Sequence, residues 1–282
     1  MTGRADVLIS AEALVKRLAA GEPVTVLDVR WTLSEPDGRD EYLRGHLPGA
    51  VYVSLDDDLS DHTVSGRGRH PLPSGSAVQA AARRWGVRDG VPVVVYDDWN
   101  RAGSARAWWV LTAAGVADVR ILDGGWSGWK AAGGAVATGP VDPAPGDVTV
   151  THEDLYAGAL PTLTADEVNR RPLLDARAPE RFRGDVEPVD PVAGHIPGAR
   201  NLPSTVLLGG DDTFVAAGAV DALLTERGIE AGDPIGVYCG SGITAAVAVA
   251  ALTAAGRDAA LFPGSWSQWS SDPDRPVARG EQ

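Results

Sequence analysis

Thiols, lysine and positive charge are the scarce features of this 282-residue chain. Cys239 is the one cysteine, which excludes an internal disulfide and a multi-thiolate metal site. It is left as either inert packing or a reactive nucleophile. Lys16 and Lys130 are the only lysines, and 25 basic residues face 38 acids for a net charge of −13. That balance excludes the basic surface that displaces counterions from nucleic acid, and it disfavours anionic membranes. No apolar run approaches the ~18 residues that span a bilayer. Residues 1–10 lack the apolar core and cleavage site of a secretory signal, so a cytoplasmic location is expected. The five histidines show no paired metal-binding spacing and no Gly-rich nucleotide fingerprint is present, so neither a metal nor a cofactor is expected.

What the chain does contain is a long repeat. Leu27-Asp28-Val29-Arg30 returns as Leu174-Asp175-Ala176-Arg177, and Gly45-His46-Leu47-Pro48-Gly49-Ala50 returns as Gly194-His195-Ile196-Pro197-Gly198-Ala199. The apolar run ending at Tyr96-Asp97 matches the one ending at Tyr238-Cys239, and Trp126 and Trp129 match Trp266 and Trp269. Collinear matches of this kind indicate a duplication and two tandem domains, in keeping with about 150 residues per domain. The Pro- and Gly-rich stretch 138–161 reads as an extended, solvated linker, which divides the chain into domains 1–145 and 146–282. Residues after Ser271 read as a loosely held tail.

Short β-branched runs at 24–29, 91–96 and 119–122 read as buried parallel strands. Ala-rich stretches at 104–114 and 244–255 read as helices following strands. The pattern predicts an α/β fold in which each half is a mainly parallel sheet flanked by helices. Ligands in such sheets sit at the carboxyl ends of strands, which directs attention to Asp97 and Cys239.

Cys239 is followed by Gly240-Ser241-Gly242-Ile243-Thr244 and then a helix. Glycines at this spacing let the chain curl so that backbone N–H groups converge beside a helix amino terminus, a cradle that stabilises a thiolate. The segment resembles the active-site loop of the rhodanese superfamily, specifically its tandem-domain sulfurtransferases. The Leu-Asp-x-Arg strands, both Gly-His-x-Pro-Gly-Ala segments and the late Trp pairs extend the likeness over nearly the whole chain. It implies two tandem rhodanese-like domains, an inactive first and a catalytic second. Asp97 stands where Cys239 stands, in agreement with that division.

The resemblance also implies a mechanism. A Cys239 persulfide would carry sulfur from a small anionic donor, 3-mercaptopyruvate or thiosulfate, to an external thiol or cyanide, since no second cysteine resolves it. The uncharged Gly-Ser-Gly loop is like that of mercaptopyruvate-using relatives. By the same resemblance Ser241 and His70 form a proton relay supported by an acid, Asp57 or Asp61. Arg181 is the match for a substrate arginine, while Gly240, Gly242, Ile243 and Thr244 complete the loop around the donor. The family's second substrate arginine is missing from Glu187-Pro188-Val189-Asp190, where Arg183 is the available substitute. His46, His195 and the Asp–Arg pairs occur in both halves and read as structural. The position six after Cys239 is Ala245, which excludes the phosphate clamp of phosphatases sharing this fold. A thiosulfate sulfurtransferase and a non-catalytic rhodanese-like binding module are the alternative readings.

Overall fold

The computed structural model describes residues 3–281. The first sheet contains β1 (Leu8–Ile9), β2 (Thr25–Asp28), β3 (Val51–Tyr52), β4 (Val93–Tyr96) and β5 (Val119–Leu122), ordered β1-β5-β4-β2-β3. The second contains β6 (Leu173–Asp175), β7 (Ala199–Asn201), β8 (Ile235–Tyr238) and β9 (Ala259–Leu261), ordered β7-β6-β8-β9. Every pairing between these strands is parallel. Thr162 bridges Leu261 where the first sheet places β1, so the second sheet's outer strand is reduced to a single bridge. Helices cover both faces of the sheets, and near-continuous Val, Ile and Leu runs satisfy that burial.

The two domains share one core. Helix Ala102–Ala114 of the first packs on helix Thr244–Ala254 of the second, and buried side chains from both sheets join one apolar cluster. Both helices are apolar around almost their whole circumference, which is what a helix closed in by a sheet and a second domain requires. Alanine dominates them because small side chains allow close approach.

The repeated motifs form matching struts at the carboxyl ends of the central strands. Arg30 pairs with Asp28 at 3.1 Å and reaches the Gly45 carbonyl, while Arg177 pairs with Asp175 at 2.6 Å and reaches the Gly194 carbonyl. Tyr96 donates to Asp28. Burial pushes the Asp28 carboxyl up to about 6 despite Arg30 and Tyr96. His46 and His195 form antiparallel bridges with Ala137 and Ala278, so the repeat extends beyond the motifs that disclosed it.

Two expectations need correction. The connecting segment is only partly solvated, because exposed residues alternate with others laid along the first domain. Gly146 N–H donates to the Arg83 carbonyl at 2.8 Å, Thr151 N–H to the Ala114 carbonyl at 2.9 Å, and Val148 and Leu155 are buried. The end of the chain is also held. Trp269 Nε1 donates to the Pro276 carbonyl, and Gly280 N–H to that of Arg183. Backbone polar groups in these stretches pair with neighbours that the local sequence does not name.

Candidate active site

Cys239 follows β8 directly, and the chain then curls through four residues into helix Thr244–Ala254. The loop is clamped from behind by the short helix Ser265–Trp269. Cys239 N–H donates to Ser265 Oγ at 3.1 Å, Trp266 N–H to the Cys239 carbonyl at 2.9 Å, and Ser267 N–H to the Gly240 carbonyl at 2.8 Å. Gly242 takes a φ of +82°, and a β-carbon there would collide with the Pro263 carbonyl oxygen. Glycine is therefore required, and the turn it makes aims Gly242 N–H at Cys239 Sγ, 3.2 Å away. A fixed backbone dipole pointed at sulfur favours negative charge on it.

The first domain supplies the other side of the site. His70 Nδ1 lies 2.8 Å from Ser241 Oγ, across 171 residues of sequence. Its Nε2 faces Asp56 Oδ1 at 3.4 Å, an oxygen that is buried with no hydrogen-bond donor of its own. With the imidazole proton on Nε2, toward Asp56, Nδ1 is left to accept from the Ser241 hydroxyl. Burial, with Arg106, Arg69 and His62 nearby, pulls the His70 imidazole down to about 3, so it is neutral at ordinary pH. Neither Asp57 nor Asp61 reaches His70. Asp57 accepts from Ser54, and Asp61 from Thr63.

Arg106 lies fully buried behind His70. It donates to the carbonyls of Leu59, His70 and Pro71, and its Nη1 has no hydrogen-bond partner. Burial lowers it to about 10, so it remains a cation between the domains. Its bonds fix the backbone that presents His70, which makes it a positioning residue.

Arg181 stands beside the loop, held by Glu187 at 2.6 Å and Asp190 at 3.1 Å. The acids that replace a second arginine in the sequence thus orient the first. Asp190 also pairs at 2.7 Å with Arg69, next in the chain to His70. Arg183 cannot stand in for the absent arginine, because residues two apart on a helix do not share a face. It pairs with Asp185 and lines a separate surface cleft with Arg200 and Arg227. Ile243 packs on Trp31, Leu55 and Ala102 of the first domain, so its side chain seals the interface. Thr244 opens the following helix, half-buried.

The corresponding loop of the first domain is filled. The Asp97 carboxylate accepts from Ser104 N–H and Oγ–H, and pairs with buried Arg101 at 3.2 Å. The Arg101 guanidinium occupies the space beneath Gly125, the counterpart of Ser265. An anion of the protein's own occupies this cradle.

Four site residues escape a reading of the sequence: Asp56, Arg69, Arg106 and Ser265. Only Arg106 carries a local signal, as a lone charge within an otherwise apolar helix. Among the described residues no cluster of His, Cys, Asp and Glu can hold a metal, and no helix is long and apolar enough to cross a membrane.

The duplicated fold and the single cysteine cradle define a class. The rhodanese-like domain profile matches residues 10–132 and again 161–272, and the chain belongs to the rhodanese family. A Mycobacterium tuberculosis protein provisionally named thiosulfate sulfurtransferase SseB is 65% identical over 282 residues, covering 99% of each chain. The 3-mercaptopyruvate sulfurtransferase of Escherichia coli K12 is 35% identical over 261 residues, 90% of this chain and 92% of its own. The crystal structure of SseA, a 3-mercaptopyruvate sulfotransferase from Escherichia coli, superposes with a TM-score of 0.79 at 32% identity, covering 92% of this chain and 98% of that one. This chain is a sulfurtransferase.

Proposed function

We propose that the protein takes sulfur from 3-mercaptopyruvate onto Cys239 and delivers it to an external thiol or cyanide. The observation that carries this reading is the Asp56–His70–Ser241 line ending beside the Cys239 loop. The Cys239 thiolate attacks the donor sulfur, and the carbon–sulfur bond breaks with its electron pair going to carbon. The donor's thiol proton passes to Ser241, whose own proton moves to His70 Nδ1, and returns to the new carbanion to give pyruvate. The products are pyruvate and a Cys239 persulfide anion, which faces the Gly242 N–H. The acceptor then attacks the outer sulfur and regenerates the thiolate. Asp56 stabilises the transient imidazolium, as the carboxylate does in other acid–imidazole–hydroxyl arrangements.

Thiosulfate is the second reading, supported by the name of the 65% identical relative. Attack on its outer sulfur expels sulfite and moves no proton, so it makes no demand on His70 or Ser241. The two donors therefore separate by experiment. Intact mass after donor treatment should show the gain of one sulfur, abolished in Cys239→Ser. Ser241→Ala should slow transfer from 3-mercaptopyruvate by about a hundredfold or more while leaving thiosulfate within a few-fold. Sulfur gain from thiosulfate alone would move the assignment to that donor. Failure of both donors to add sulfur to the folded protein would reject both readings and favour a binding module.

A further inference from the structure

We propose that Arg69 and Arg181, one from each domain, together bind the anionic end of the sulfur donor. The inference deepens the sulfur-transfer reading and rests on it. Asp190 bridges the two guanidinium groups, one carboxylate oxygen to Arg69 Nη1 and the other to Arg181 Nη2. Its side chain is 2% exposed, so the bridge is a built feature rather than a surface pairing. Each guanidinium keeps one terminal nitrogen that makes no hydrogen bond among the described residues, Nη2 of Arg69 and Nη1 of Arg181. Both free ends converge on one place. A β-carbon on Gly240 would stand 3.4 Å from each of them.

The residue at this point of convergence is itself informative. Its φ lies outside the left-handed region, so the backbone does not require glycine there. A β-carbon there would be in van der Waals contact with both guanidinium ends and take up the space between them, immediately after the nucleophile. The Arg69 backbone is tied to the second domain, with its N–H donating to Ser267 Oγ at 3.0 Å, and Gly68 is pressed against Gly264. That tie holds the guanidinium in register with the Cys239 loop. Arg177 is not available to share the role, because Asp175 and Glu187 occupy it. A carboxylate, or the oxygen face of thiosulfate, fits two guanidinium ends presented side by side. Its sulfur then lies toward Cys239.

The test compares wild type, Arg69→Gln, Arg69→Lys and Gly240→Ala, all as the full chain. The donors are 3-mercaptopyruvate, its uncharged methyl ester, and thiosulfate, and pyruvate serves as an unreactive probe in calorimetry. Arg69→Gln should raise KM for the anionic donor that is used by about tenfold to a hundredfold, with kcat changed far less and the ester's KM unmoved. Arg69→Lys should recover part of the loss. Gly240→Ala should raise the same KM while leaving the melting temperature within a degree or two. The pyruvate dissociation constant should weaken in parallel.

An equal KM rise for the ester would make Arg69 a structural tie and overturn the proposal, as would unchanged KM values for the anionic donors. If wild type accepts sulfur from neither anionic donor, the sulfur-donor reading falls by itself. Pyruvate binding that is absent or indifferent to Arg69 would then overturn the anion site, and Arg69-dependent binding would sustain it.

Discussion

Lowering the pH from 7 to 5 should remove about 2 kcal/mol of folding stability through His70 alone. Above pH 6.5 the imidazole is neutral in folded and unfolded chains, and it contributes no pH dependence. Below 6.5 the unfolded chain takes up a proton that the folded site refuses until about pH 3. Stability therefore falls as pH falls through that window, by about 1.36 kcal/mol per pH unit. The 1.5-unit interval down to pH 5 gives the figure above. Burial is the main cause, and the nearby cations Arg106 and Arg69 act in the same direction. Asp28 acts in the opposite sense, since its raised folded value favours the folded state as pH drops from 6 toward 3.8.

A variant is needed to isolate the histidine. Urea unfolding of wild type and His70→Asn at pH 7 and pH 5, at one ionic strength, should show wild type losing about 2 kcal/mol more than the variant. A neutral His70 also means that persulfide formation from 3-mercaptopyruvate has no acid limb near pH 6.5. Equal losses in the two proteins, together with an acid limb near 6.5 that vanishes in the variant, would refute the claim that burial keeps this imidazole neutral.

Gly242→Ala forces a side chain into a left-handed turn and against the Pro263 carbonyl, moving the N–H that faces sulfur. Persulfide formation should slow by about a hundredfold, measured in a single turnover. Asp97→Cys in a Cys239→Ser background should give no sulfur gain by intact mass, because the Arg101 guanidinium fills the space beneath Gly125 beside that loop. The same change leaves Arg101 buried without its carboxylate, and unfolding should show a loss of about 3–5 kcal/mol.

The strands, the duplication and the Cys239 loop were legible because each depends on residues close together in sequence. β4 and helix Ala102–Ala114 begin within two residues of their expected starts. His70 and Ser241 were also legible, through resemblance, and lie in contact. The supporting acid was not, because Asp56, Asp57 and Asp58 are consecutive and only the turn of a four-residue helix decides which one faces inward. Arg69 was hidden for a different reason. Its environment is assembled from Asp190, Ser267 and Gly240, all of them more than a hundred residues away. Arg183 misled because its type was right and its face was wrong.

The site draws its nucleophile from one half of the chain and the imidazole, the acid and one of the guanidiniums beside it from the other. A duplicate that cannot react usually becomes free to drift or to be deleted. On the proposed mechanism the half that carries Asp97 could not be discarded, and the two copies would have to be inherited together. A gene encoding only residues after the junction would specify the Cys239 loop without the imidazole that faces it.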